Sequence, residues 1–322
     1  MKRHNCGLNS LTTHIEGIAG SYDLGDGEKA EIVLDAANTL FGEKSVAWAQ
    51  DFLDTLATNY GAGLQLVDFV NESAAATDAI NAWVAEQTRD KIPTIIPAGL
   101  LDAMTRLVLV NTLYLKAPWD TPFEKSLTAD GPFTLASGEA VAVPRMSSNV
   151  GMLGQGDGWQ ATQLRYVGGK LAMTIVLPDE GRLADLEATI ADGGLPDVLG
   201  SMAYQAVVLT LPRWTFRFNT SLVPALQELG METPFSDTAD FSGMTEDEDL
   251  FISDVLHEVF IAVDEDGTEA AAVTVVAMRA TGMPATPVPM VVDRPFLFVI
   301  HDTEHGTPLF LGRVADPRED AG

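Results

Sequence analysis

Apolar positions recur along this chain with two periods. Ile80, Trp83 and Val84 follow the i, i+3, i+4 spacing of one helical face, with Ser73 and Thr77 upstream as candidate caps. Leu222, Ala225, Leu226 and Leu229 repeat that spacing, and Gly230 marks the stop. Trp214, Phe216 and Phe218 alternate with Thr215 and Arg217, the pattern of a half-buried strand. Residues 107–110 and 173–177 are short apolar runs suited to central strands covered on both faces, although periodicity alone leaves a buried helix open. Residues 296–300 and 309–314 flank His305-Gly306-Thr307-Pro308, which predicts a hairpin. Helical and strand signals alternate irregularly, with no repeat, low-complexity tract or linker. The class is therefore α+β, in one domain.

Composition narrows the function. With 322 residues, 46% hydrophobic, the chain can bury a large core. No apolar run reaches the roughly 18 residues that a membrane span needs. Acidic residues outnumber basic ones 46 to 19, a net charge of −27. That field repels phosphates and anionic lipid, which argues against nucleic-acid and membrane partners. It suits a well-solvated surface, and it would also favour basic substrates. The one cysteine, Cys6, excludes an internal disulfide or a cysteine zinc cluster. The start Met1-Lys2-Arg3-His4-Asn5 is not followed by the apolar stretch of a secretory signal, so the compartment is open between cytoplasm and, with a start further upstream, the exterior.

Catalytic signatures are missing. There is no G-x-S-x-G elbow, P-loop or H-E-x-x-H pair. Gly154-Gln155-Gly156-Asp157-Gly158 lacks the dinucleotide spacing and reads as a turn. His301 and His305 fall in the predicted hairpin turn and read as solvated, and Asp247-Glu248-Asp249 reads as a charged loop. No catalytic residue, metal or cofactor is expected.

Residues 263–290 do not fit an ordinary fold. Asp264-Glu265-Asp266-Gly267-Thr268-Glu269 leads into Ala270-Ala271-Ala272-Val273-Thr274-Val275-Val276, and Pro284, Pro287 and Pro289 require an extended, exposed tail. As a strand, residues 268–278 would put Thr268, Ala270, Ala272, Thr274, Val276 and Met278 on one uncharged face, with Glu269 and Arg279 opposite. The β-branched run at 273–276 argues against the alternative of an Ala-rich helix. A segment able to be both exposed loop and buried strand is a metastable switch.

From about Asn38 to Pro317 the sequence resembles the serpin family. Gly267-Thr268-Glu269-Ala270-Ala271-Ala272, with Glu265 just ahead, resembles the hinge of the reactive loop. Met290-Val291-Val292-Asp293-Arg294-Pro295-Phe296-Leu297-Phe298-Val299-Ile300 is similar to the signature that follows that loop. Asn111-Thr112-Leu113-Tyr114-Leu115-Lys116, then Trp119, is similar to the strand bearing the family's shutter asparagine and breach tryptophan, and Ser253-Asp254-Val255-Leu256-His257 supplies the shutter histidine.

The resemblance implies a serpin fold, three β-sheets surrounded by helices with an exposed reactive-centre loop, in one domain over residues 1–322 with hinge and loop at 264–290. It implies inhibition of a serine- or cysteine-class protease by a monomer that needs no cofactor or metal. The protease cleaves the loop, which inserts into the main sheet before the acyl-enzyme is hydrolysed. Fourteen residues after the hinge glycine, the reactive bond falls at Thr281–Gly282, with Arg279–Ala280 as the alternative. The pattern Phe-Ser-Pro-x-Ser-Ile, which in relatives opens a helix beneath the main sheet and supplies a serine near the asparagine and histidine, is absent. The chain is thus expected to be truncated at its N-terminus, leaving a non-inhibitory binding protein or an inactive truncated member as alternatives.

Overall fold

The computed structural model describes His14 and residues 17–25, 28–60, 63–269 and 286–318. Strands β1 (Gly20–Gly25) and β2 (Glu28–Glu43) precede helix α1 (Gln50–Tyr60), strand β3 (Leu64–Val67) and helix α2 (Phe69–Gln87). Strands β4 (Leu107–Pro118), β5 (Ala129–Thr134), β6 (Ala140–Gly156), β7 (Trp159–Arg165) and β8 (Leu171–Pro178) follow. Helices α3 (Leu183–Thr189) and α4 (Leu195–Gly200) lead to β9 (Ala203–Pro212), β10 (Trp214–Ser221) and α5 (Val223–Glu228). The chain ends with β11 (Val255–Val263), β12 (Gly267–Thr268), β13 (Val288–Val291), β14 (Phe296–Asp302) and β15 (Pro308–Val314). None of the described helices is long and apolar enough to cross a membrane.

Two compact units are formed. The first holds residues 1–16, 34–114 and 217–260. Its core joins Ile80, Val84 and Phe69 of α2 to Val108 and Val110 of β4 and Leu256 of β11, while Trp83 stays partly buried at the margin. The helical period read from the sequence therefore marks the covered face. The cap differs: Asp68 accepts from the Asn71 amide at 2.8 Å, and Thr77 instead donates back to the Ser73 carbonyl inside the helix. A chain whose helix begins earlier than its first apolar repeat hides its own start signal. The fully buried Glu43 carboxylate accepts from the Phe69 amide (2.6 Å) and the Val70 amide (3.2 Å), the free donors of that first turn. The run at 107–110 is strand rather than helix: β4 pairs in parallel with β11, Leu109 opposite Val255 through Leu113 opposite Val259. Helix α5 ends before Gly230, which takes φ +93°.

The second unit holds residues 17–33, 115–216 and 261–322. Its large sheet has the order β13-β9-β6-β7-β8-β14-β15, with β5 on β6. Every residue of β8 is buried, as the continuous apolar run requires. β14 and β15 form the expected antiparallel hairpin. His301, read as part of a solvated turn, lies instead in β14, 3% exposed, its Nε2 3.0 Å from Thr174 Oγ1. The strand simply runs further than its apolar residues do. Asp302 closes the hairpin by accepting from the amides of Glu304, His305 and Thr307. β13 pairs in parallel with β9 on one side, so its Pro289, which has no amide proton, sits exposed on an edge.

Candidate functional site

The residues singled out in the sequence gather in two places. In the first unit, Asn111 of β4 and His257 of β11 stand directly opposite one another in the parallel pairing. His257 Nδ1 lies 2.8 Å from Asn111 Oδ1, and the Asn111 amide donates to Asn38 Oδ1 at 2.5 Å. The carbonyl oxygen can only accept, so His257 carries its proton on Nδ1. Burial holds the imidazole below its ordinary range. Asn38 was not foreseen as a partner, and nothing in its neighbourhood of the sequence signals it.

In the second unit, Gly267 and Thr268 form β12, a two-residue strand seated between β4 and β11. Thr268 pairs with both Ala117 and Val263, and Gly267 pairs with Pro118. Thr268 is 2% exposed. Its hydroxyl lies 2.7 Å from that of Tyr166, whose ring stacks on Trp119 with centroids 4.5 Å apart and planes inclined by 17°. Burial pushes the Tyr166 phenol far up, so it stays neutral at any working pH. Trp119 in turn donates its indole N–H to the Asp264 carbonyl (2.9 Å) and its backbone amide to the Asp266 carbonyl (2.9 Å). Tyr166 left no trace in the sequence reading, because a lone tyrosine ahead of Val167-Gly168-Gly169 has no recognisable spacing.

The turn feeding this short strand is pinned by charge. Buried Glu265 accepts from Thr128 Oγ1 at 2.6 Å, and Arg213 Nε lies 3.6 Å from its other oxygen. Lys125 pairs with Asp266 at 2.7 Å. Asp264 accepts from the amides of Asp266 and Gly267, and burial raises its carboxyl above the usual range. The strand ends at Thr268: Glu269 still donates its amide to the Ala262 carbonyl of β11 at 2.9 Å, but it takes φ +49°, a left-handed conformation that disfavours any residue with a Cβ. Ala270, Ala271, Ala272, Arg279, Ala280, Thr281 and Gly282 lie outside the described residues.

This geometry belongs to a known class. The family model described as Serpin (serine protease inhibitor) matches residues 3–317. The chain belongs to the serpin family and has its mixed fold of helices and several sheets. It is 37% identical over 303 residues to the leukocyte elastase inhibitor of Sus scrofa, covering 89% of this chain and 79% of that protein. An uncharacterized serpin-like protein of Thermococcus kodakarensis is 34% identical over 294 residues, covering 91% and 68%. Among solved structures, the native state of the thermophilic serpin tengpin superposes with a TM-score of 0.81 at 28% identity, covering 88% and 74%. Thyroxine-binding globulin in complex with thyroxine gives 0.79 at 30% identity, covering 91% and 78%. A protein named as an elastase inhibitor and a thyroxine-binding globulin are thus both similar to this chain.

Proposed function

We propose that this chain inhibits a serine-type, or else a cysteine-type, endopeptidase as a suicide substrate, acting as a single serpin domain and not as an enzyme. The observation that carries the reading is the seat of Gly267-Thr268 between β4 and β11, followed at Glu269 by a left-handed residue. Gly267 and Thr268 are already in register as a strand between β4 and β11, and a left-handed residue follows them. Residue 269 in an inserted strand would be extended, which removes that strain.

The chemistry needed of the inhibitor is that of a substrate. The protease nucleophile attacks the carbonyl of Thr281, or of Arg279, forming an acyl-enzyme and freeing the amine of Gly282, or of Ala280. The loop from Thr268 onward then enters between β4 and β11, which requires the Asn111–His257 bond across those strands to part. Ala270, Ala271 and Ala272 are small enough to enter quickly, and insertion must outrun hydrolysis of the acyl-enzyme.

Incubation with a panel of serine proteases, read by denaturing gel and mass spectrometry, tests this. A higher-mass band that survives denaturant, with cleavage after Thr281 or Arg279, is expected. Thr268→Arg should abolish trapping and leave cleavage intact, because it puts an unpaired guanidinium in a site that is 2% exposed. Cleavage without any retained complex would sink the reading. It would favour a non-inhibitory binding protein, the reading supported by the likeness to thyroxine-binding globulin.

A further inference from the structure

The second unit contains a pocket of about 370 Å³ that the proposed trapping mechanism does not use. It opens between the end of β4, the middle of β6, the end of β7 and the start of β9. Buried Trp119 lies at its base, and the rim carries Asp120, Arg165 and Tyr204. The volume falls at the small end of the range for cavities that hold small molecules.

Three features of the rim point to an occupant. Arg165 has no carboxylate within ion-pair distance among the described residues, in a chain with more than two acidic groups for each basic one. The other described arginines are ion-paired or, for Arg145, donate to the Pro132 carbonyl. Asp120 stands beside Arg165, its amide bonded to the Arg165 carbonyl at 2.9 Å, yet the two side chains do not pair. Tyr204 is 90% exposed, a large aromatic face left open to solvent beside the pocket. A cation, a carboxylate acceptor and an open ring face make a three-point site.

We infer that this pocket binds a small planar carboxylate that carries a hydrogen-bond donor at its far end. The ligand carboxylate lies on the Arg165 guanidinium, whose planar fork matches it. Its ring lies against Tyr204, and its donor reaches Asp120. A dianion is disfavoured by Asp120, and a ligand without a donor leaves that carboxylate unanswered. The site does not depend on protease trapping, and its test does not use a protease.

The probe is 4-hydroxyphenylacetate, compared with its primary amide, titrated into the ¹⁵N-labelled full chain. The reporter is the Trp119 indole resonance, assigned with Trp119→Phe. For so small a ligand a Kd on the order of 1 mM is expected. The amide, and the acid on Arg165→Gln, should bind at least about tenfold more weakly. Arg165 is exposed, so its replacement should leave the fold intact, and the acid-against-amide comparison on the unaltered chain decides the matter without it. Saturable shifts that discriminate against the amide support the site. Absence of saturation, equal binding of acid and amide, or binding unchanged by Arg165→Gln would overturn it.

Discussion

Tyr166 and Thr268 meet hydroxyl to hydroxyl at 2.7 Å, with Tyr166 fully buried and Thr268 nearly so. One side chain lies just beyond the end of β7 and the other forms the last residue of β12, so a single hydrogen bond ties the start of the loop to the stack of Trp119 on Tyr166. Both hydroxyls are withdrawn from bulk solvent, which makes the bond expensive to break from one side.

Tyr166→Phe should therefore lower stability by about 1–2 kcal/mol, since it leaves the Thr268 hydroxyl buried and unanswered. The double variant Tyr166→Phe with Thr268→Val should lose less than the sum of the two single changes. Urea denaturation of the four proteins measures the coupling, and strictly additive losses would contradict the geometry.

Glu265 and Arg213 form an unequal pair, the carboxylate side chain 6% exposed and the guanidinium 48%. Solvent around Arg213 weakens the attraction, so Arg213→Ala should cost about 1 kcal/mol or less. Thr128→Val removes the shorter contact of the same carboxylate and should cost more, about 1.5–3 kcal/mol. The ranking of the two midpoints in a denaturation series checks which partner holds Glu265.

Acid should weaken the pairing of His257 with Asn111. Burial depresses the His257 imidazole in the folded chain, so the unfolded chain takes up a proton first as pH falls below about 6.5. The stability this group lends is complete above that value and declines as pH drops toward its lower folded value. Glu258 and Asp264, raised by burial, act with the opposite sign, because their penalty lifts as they become protonated. A comparison of the parent with His257→Gln isolates the histidine: the variant should lose less stability between about pH 7 and 5. Equal slopes would mean that His257 is not desolvated.

Asp302 should govern the hairpin of β14 and β15. Burial opposes its charge, but the amides of His305, Thr307 and Glu304 outweigh that and hold the carboxyl well below its ordinary value. Its contribution is present above about pH 3.9 and is lost as acid protonates it below that. Asp302→Asn should cost about 1–3 kcal/mol at neutral pH and progressively less in acid, as thermal melts across pH would report.

Much of the fold was legible in residue order. The alternation at Trp214 and Phe216 falls in β10, although Phe218 is 54% exposed, and the apolar run at 173–177 matches the wholly buried β8. Both signals are local, a periodicity set by which face meets the core. The cap of α2 was misread because Asp68 lies twelve residues, more than three turns, before the apolar repeat begins at Ile80. Partners such as Asn38 for Asn111, Tyr166 for Thr268 and Thr128 for Glu265 are 73, 102 and 137 residues apart, and no local pattern encodes contacts of that span. The acidic turn at 264–266 stood out in the sequence, but the partners that hold it did not.

The two ends of the loop are fastened differently. Thr268 is held by a single short strand, whereas Val288 enters β13 and the chain continues into β14, which is flanked on both sides by β8 and β15. A cut between them divides the polypeptide but does not divide the molecule. The piece of about forty residues that follows is woven into a sheet whose other strands come from the larger piece. A nicked chain should therefore run as one body under native conditions and come apart only in denaturant, so the scission releases no fragment until the sheet itself is dismantled.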